Sequence, residues 1–288
     1  MAIQIPPPFP PPHASLNLSS NHLHGGVTAA AFPSFPRRIP AIRWLALRCQ
    51  LSDHQTAPQV AIPPKTSRIN RSLLSVSETF SEAELWAASC LRVRTFYDFK
   101  EQTFGIEDHK RYLAEREFEA LKERVEGKRK GFRRVSCINA TLPMSSVLNV
   151  CDDLCASCKF SHNGEDRVVV GTLDLNQCIS LPDEITGMKP KGIGADFARA
   201  YISNVCVAKE LHRNGLGYEL MAESKRVAEE WGISDLYVHV AVDNEAAKNL
   251  YLKSGFTLES DEPAWQARFL DRPRRLLLWT GLPIAYKL

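Results

Sequence analysis

His212-Arg213-Asn214-Gly215-Leu216-Gly217 lies between an apolar run and an amphipathic one, and the fold follows from how that turn is read. Before it, Ala200-Tyr201-Ile202-Ser203-Asn204-Val205-Cys206-Val207-Ala208 is rich in β-branched and aromatic residues and contains no Gly or Pro, the composition of a mostly buried strand. After it, Leu220, Met221, Ser224, Val227, Ala228 and Trp231 recur at three- and four-residue spacing, as one face of a helix does. The turn must therefore start the helix. Gly215 and Gly217 have no Cβ, which lets a ligand approach the main chain, and the first amides of a helix have no partner inside it. Those amides and the helix dipole favour negative charge, so the turn is expected to cradle a phosphate or pyrophosphate, with Arg213 adding a charge. Taken alone, the two glycines are equally well explained by the needs of a tight turn.

The residues that follow make the pattern specific. Trp231-Gly232 closes the helix, Leu236-Tyr237-Val238-His239-Val240-Ala241-Val242 reads as a second apolar strand, and Asp243-Asn244-Glu245-Ala246-Ala247 opens a helix ending in Leu250-Tyr251-Leu252-Lys253-Ser254-Gly255-Phe256. This order resembles the GNAT superfamily of acetyl-CoA-dependent N-acetyltransferases, and within it the plastid proteins of plants. The family's cofactor motif, Gln/Arg-x-x-Gly-x-Gly/Ala, corresponds to residues 212 to 217; its Asn…Tyr-x-x-x-Gly-Phe helix corresponds to Asn244, Tyr251, Gly255 and Phe256. His212 departs from the Gln/Arg position. Because main-chain amides chiefly hold the pyrophosphate, that change weakens a side-chain contact and leaves the cradle.

The resemblance implies an α/β fold: one GNAT domain over residues 75–288, with a central, mostly antiparallel mixed sheet splayed between its fourth and fifth strands, here 200–208 and 236–242. It implies acetyl-CoA as co-substrate, held by Val205, Val207, Ala208, Arg213, Asn214, Gly215, Leu216, Gly217, Tyr218, Asn244, Ala247 and Tyr251. Acetyl transfer needs a neutral amine, a polarised carbonyl and a proton for the departing thiolate. Tyr251 matches the family's acid. Amides near Val207 would polarise the carbonyl, and Asn244 would cap its helix and touch the cofactor arm. For the base, Tyr201 and His239 stand at spacings like those of protein N-terminal acetyltransferases that relay a proton through water, and histidine titrates near neutrality. Alternation along 236–242 can equally turn His239 to the other face, and the amine can equally arrive deprotonated.

Composition bounds the rest. The 288 residues, 44% hydrophobic, suffice for one substantial domain and an extension. Residues 1–52 carry Arg37, Arg38, Arg43 and Arg48 and no acid; without those four of the 36 basic residues, 32 stand against 33 acidic ones, so no general attraction to nucleic acid is expected. Residues 1–60 read as a disordered transit peptide, acid-poor, Ser-containing and Arg-bearing, processed between about residues 42 and 75; a Pro-rich partner-binding tail is the alternative. No apolar run is long enough for a membrane helix, so no stable membrane insertion is expected. Small and hydroxylated residues favour the plastid stroma over the mitochondrion. Cys151, Cys155 and Cys158, with His162 after them, lack the paired couples of a zinc site, so no metal is expected; 151–158 can be a helical turn or a strand end.

Elsewhere, Ser81-Glu82-Ala83-Glu84 has a capping-box pattern before a first helix, and a charged second helix is predicted over 107–126 with Tyr112, Leu113, Phe118, Leu121 and Val125 as its stripe. In the resembled fold these helices line the acceptor groove. Strands are predicted at 131–140, 168–176, 257–259 and 276–282, and the Gly- and Pro-bearing loop 178–197 is read as a lid or a plain surface segment. The expected function is acetylation of protein N-terminal α-amines and of lysine ε-amines, with protein or peptide amines as partners. Two alternatives remain: a small-amine (polyamine or arylalkylamine) N-acetyltransferase, and a non-catalytic acyl-CoA-binding protein. Oligomeric state is not legible.

Overall fold

Arg199–Val207 (β5) and Asp235–Ala241 (β6) are the parallel pair of an otherwise antiparallel sheet, and everything that positions the site follows from how they part. A parallel pair needs a crossover, and Leu216–Glu230 (α4) supplies it. In this computed structural model residues 68–99, 104–129, 131–149, 151–178 and 195–283 are described. The transit segment and residues 179–194 of the 178–197 loop lie outside them.

The open sheet has eight strands in the order β1 (Ser75–Thr79), β2 (Phe132–Pro143), β4 (Glu165–Cys178), β5, β6, β8 (Arg275–Gly281) and β7 (Thr257–Asp261), with β3 (Lys159–His162) paired to β4. Sequence reading found the long apolar strands but not β1 or β3. Both are short, and β1 reads Ser-Val-Ser-Glu-Thr with Val76 its one large apolar residue and only Thr79 buried, too weak a pattern to stand out from a loop.

Side chains of β4 alternate between two helical layers. A Cβ on Gly171 would sit 3.0 Å from Leu220 of α4, whereas Thr172 and Asp174 face Arg92 of α1 (Glu82–Phe96) on the opposite side. Helix α2 (Ile106–Val125) packs on α1, with Trp86 edge-on to Phe118 at 5.6 Å between ring centroids. Leu121 is fully buried, but Tyr112, expected in the same stripe, is 53% exposed, and Ala114 takes the inward place. Helix α4 buries Leu220, Met221, Ser224, Val227 and Ala228 as its spacing predicts, each large aliphatic contributing roughly 1.5–3 kcal/mol by burial. It stops at Gly232, φ +74°, where the Ile233 amide donates to the Ala228 carbonyl at 2.9 Å and that of Gly232 to Glu229 at 3.0 Å. Helix α5 (Glu245–Lys253) lies beside α4, and two short helices, α3 (Asp152–Ser157) and α6 (Ala264–Phe269), complete the set. Ser81 is the N-cap of α1, but its side chain makes no capping bond; Glu84 accepts instead from Asn139 Nδ2 at 3.0 Å, because a strand partner lies within reach.

The splay has a visible cause. Strands β5 and β6 pair from Arg199 with Asp235 to Ile202 with Val238 and no further. There the register between β4 and β5 slips, Asp174 facing Ser203 and Thr172 facing Cys206, which leaves an extra residue on β5, and Asn204 adopts φ +55°. Such a bulge bends its strand. Asp174, fully buried, holds it: its Oδ2 accepts from Asn204 Nδ2 at 2.7 Å, its Oδ1 from Arg92 Nη2 at 2.6 Å, and Oδ2 also from Arg124 Nη2 at 3.0 Å. Burial alone would raise the Asp174 pKa; the two guanidinium charges outweigh it and hold the carboxyl below its ordinary value.

Candidate active site

A cleft of about 1240 Å³ opens where β5 and β6 diverge. Its floor is the splayed pair. Residues from the start of α4, from α5, from either side of the α1–α2 connection and from the segment before β8 line it. Single small-molecule pockets run to about 300–1,000 Å³, so this volume admits two substrates side by side.

The cradle is built as a nest. Arg213 at φ +64° and Gly215 at φ +84° are both left-handed, a geometry that turns successive amides into one concavity. No side chain caps α4 at Gly215, so its first amides are left to face the cleft. The two glycines also make room within the protein. A Cβ on Gly217 would meet Leu250 of α5 at 3.0 Å, and one on Gly215 would meet the Arg71 guanidinium at 2.0 Å. The sequence reading attributed both to ligand approach or to the needs of a tight turn; their missing side chains also admit α5 and the N-terminal segment. The His212 ring hydrogen-bonds through Nε2 to the Val207 carbonyl at 3.1 Å, tying the cradle to the end of β5.

Most residues singled out by sequence come together here: Val205, Val207, Arg213, Gly215, Leu216, Gly217, Tyr218, Asn244, Ala247, Tyr251, Tyr201 and His239 all line the cleft. Ala208 and Asn214 do not. Ala208 is buried and its amide donates to Val170 on β4 at 2.9 Å. Since successive strand amides point to opposite neighbours, the Val207 amide then points toward the gap, where β6 no longer pairs. The Asn214 side chain is turned into its own loop, Nδ2 donating to the Leu211 carbonyl at 3.2 Å. Asn244 caps α5, its Oδ1 accepting the Ala247 amide at 3.1 Å.

At the centre, Tyr201 Oη and His239 Nδ1 are 3.1 Å apart across the two splayed strands. Tyr251, 4% exposed on α5, completes the group, its ring edge-on to Phe256 at 5.9 Å. Burial, then the nearby Tyr201, pushes the Tyr251 hydroxyl well above its ordinary pKa, so it stays protonated.

A family profile described as "Acetyltransferase (GNAT) family" matches residues 149–256. The chain is 63% identical over 245 residues, 85% of its length and 86% of the relative's, to Arabidopsis thaliana "GCN5-related N-acetyltransferase 7, chloroplastic". It belongs to the GNAT family. It is 30% identical over 63% of its length and 60% of the relative's to "GCN5-related N-acetyltransferase 6, chloroplastic" of the same plant. Among solved structures it is similar to PaiA N-acetyltransferase from Thermoplasma acidophilum in complex with coenzyme A, at 12% identity and a TM-score of 0.44, covering 72% of this chain and 98% of that one. The chain is thus an acetyltransferase, and acetyl-CoA is the family's co-substrate.

In this GNAT acetyltransferase His239 differs from the expectation of a base poised near neutrality. Burial first, then the charges of Arg275 and Arg272, lower its pKa to about 3, with Glu262 opposing and Tyr201 hydrogen-bonded to it. The ring is therefore neutral at pH 7 and a poor store for a proton. The unfolded chain binds a proton at His239 below about 6.5 while the folded one does not. That contribution to stability is complete above 6.5 and lost as pH falls toward 3, at up to about 1.4 kcal/mol per pH unit. Denaturant titrations at pH 7, 6 and 5 should show His239→Gln with a shallower loss than wild type; equal slopes would refute the burial argument.

Sequence reading missed Arg272, Pro273, Arg275 and Asp98 in the lining; Glu107 also lines it, on the second helix that the resemblance placed along the acceptor groove. The Arg-Pro-Arg-Arg run before β8 was the available signal, but its partner Glu262, ion-paired with Arg272, comes from a segment with no pattern of its own. Among the described residues no group of three His, Cys, Asp or Glu is placed to hold a metal. Cys151, Cys155 and Cys158 belong to α3 and its caps; burial pushes the Cys158 thiol up to about 12, so it carries little thiolate.

Proposed function

We propose that this GNAT enzyme acetylates protein amines, N-terminal α-amines and lysine ε-amines, in the plastid stroma. The observation that carries the reading is the size of the cleft, about 1240 Å³, whose lining takes in the cradle, Tyr251, the Tyr201–His239 pair and the charged Asp98, Glu107, Arg272 and Arg275. Such a groove accepts an extended chain beside the cofactor. The cradle fits a pyrophosphate by its uncapped helix start and by Arg213. The chloroplastic names of both relatives support the compartment.

In this reading the amine nitrogen attacks the thioester carbonyl, whose oxygen is met by the Val207 amide. The carbon–nitrogen bond forms, the carbon–sulfur bond breaks, and Tyr251 donates its proton to the leaving sulfur. The amine's proton leaves to water, ordered by the hydrogen-bonded Tyr201 and His239. A neutral His239 suits this role, since it orients and does not keep the proton.

A second reading rests on Asp98 and Glu107, whose carboxylates line the acceptor end and suit a small cationic amine. Incubating the full chain with acetyl-CoA, mixed peptides and polyamines, and locating each acetyl group by mass spectrometry, separates the two. Acetylated α-amines and lysines are expected; acetyl groups found on free small amines alone would end the protein reading.

A further inference from the structure

The nest holds two left-handed residues on either side of Asn214, and something outside the family's motifs fixes it. Residues 69–71 run past the loop, and none of them lines the cleft. The Ile69 amide donates to Asn214 Oδ1 at 3.2 Å and Arg71 Nη2 donates to the Asn214 main-chain carbonyl at 3.2 Å. Arg71 also lies 3.8 Å from Glu219 in the first turn of α4. The segment is itself well seated. Ile69 and Leu74 pack against the core, and Asn70 shapes the turn between them, its Oδ1 accepting the Ser72 amide at 3.1 Å.

The consequence comes from peptide geometry. In a trans peptide the carbonyl and the following N–H point in opposite directions. With the Asn214 carbonyl held outward by Arg71, the Gly215 N–H must point to the cleft side. Freed from Arg71, the 214–215 peptide can rotate, since Gly215 accepts either sign of φ, and that amide is then lost to an anion. The guanidinium also fills the space a Cβ on residue 215 would take, which is why this brace demands glycine there.

We propose that Arg71 and the Ile69 amide are positioning groups that hold the cradle in its anion-binding form, so that transit-peptide processing must leave residue 69 and all that follows it in place. The proposal rests on the reading of the cradle as the pyrophosphate site.

The test uses the full chain. Arg71→Ala should weaken coenzyme A binding by calorimetry, and raise the acetyl-CoA KM, by about five- to tenfold, as loss of one charge-assisted hydrogen bond would. The kcat, the amine KM and the Tm should stay at wild-type values, and Arg71→Lys, which keeps a donor, should recover part of the loss. Ile69→Pro, which removes the amide donor, should act in the same direction. Unchanged affinity in Arg71→Ala, or an affinity loss matched by equal losses in kcat and Tm, would overturn the brace. If the wild-type chain itself gives no heat with coenzyme A, the cradle reading fails and the brace falls with it; if wild type binds and Arg71→Ala binds equally, only the brace falls.

Discussion

Tyr251→Phe is expected to bind coenzyme A as the wild type does and to transfer acetyl roughly 10²- to 10³-fold more slowly, the range lost when a positioned proton donor is removed. Phenylalanine keeps the ring against Phe256 and the place on α5, so the fold should not change. A hydroxyl pKa raised by burial looks at first like a poor match to a thiolate, whose ordinary value is near 8.5. Burial raises a thiol as it raises a phenol, as buried Cys158 and Cys206, both pushed up to about 12, illustrate, so a sulfur anion leaving from a partly buried position is a stronger base than a free thiolate. Donor and acceptor are raised together and the proton can pass. Steady-state kinetics beside calorimetry decide it: an unchanged kcat would remove Tyr251 from the chemistry, and a lost affinity would recast it as a binding residue.

Asp174→Ala should cost about 3–5 kcal/mol of folding stability, because it leaves Arg92, 1% exposed, without its carboxylate inside the core. That is a large share of a typical domain's 5–15 kcal/mol. The double replacement Arg92→Met with Asp174→Leu should recover part of it, since Arg92 is then no longer stranded and Arg124 keeps Glu117 at 4.0 Å as its partner. Urea denaturation of the two variants measures the difference; equal stability would show that the ion pair is not what the core depends on. The same carboxylate anchors Asn204, so activity in Asp174→Ala should fall further than stability alone explains.

The contrast between these two residues shows what a sequence can display. Tyr251 stood in a motif whose order of strand, turn and helix is dictated by local spacing, and so did the cradle, the α4 stripe and the Tyr201–His239 pair. Arg92 and Asp174 are 82 residues apart, the first beside Arg94 on a helix and the second a lone charge in an apolar strand, and only the packing of α1 on β4 shows them as partners. Gly215 and Gly217 were visible, yet their purpose was not, since Arg71 and Leu250 reach them from elsewhere in the chain. The His239 shift was hidden for the same reason: it depends on Arg272 and Arg275, which arrive through the antiparallel partner β8 and the turn before it. Local periodicity yields elements; charges that meet across layers do not announce themselves.

Four facing pairs, Arg199 with Asp235 to Ile202 with Val238, make up the strand ladder between the β1-β2-β4-β5 plate and the β6-β8-β7 plate. The sheet therefore carries a seam, and the seam is the natural line along which it parts. A molecule wedged into the opening beyond it touches both plates at once, and saturating it a hundredfold above its dissociation constant adds about 2.7 kcal/mol to folding stability. Catalysis and mechanical integrity thus share one fault line, and the enzyme at work is sturdier than the enzyme at rest.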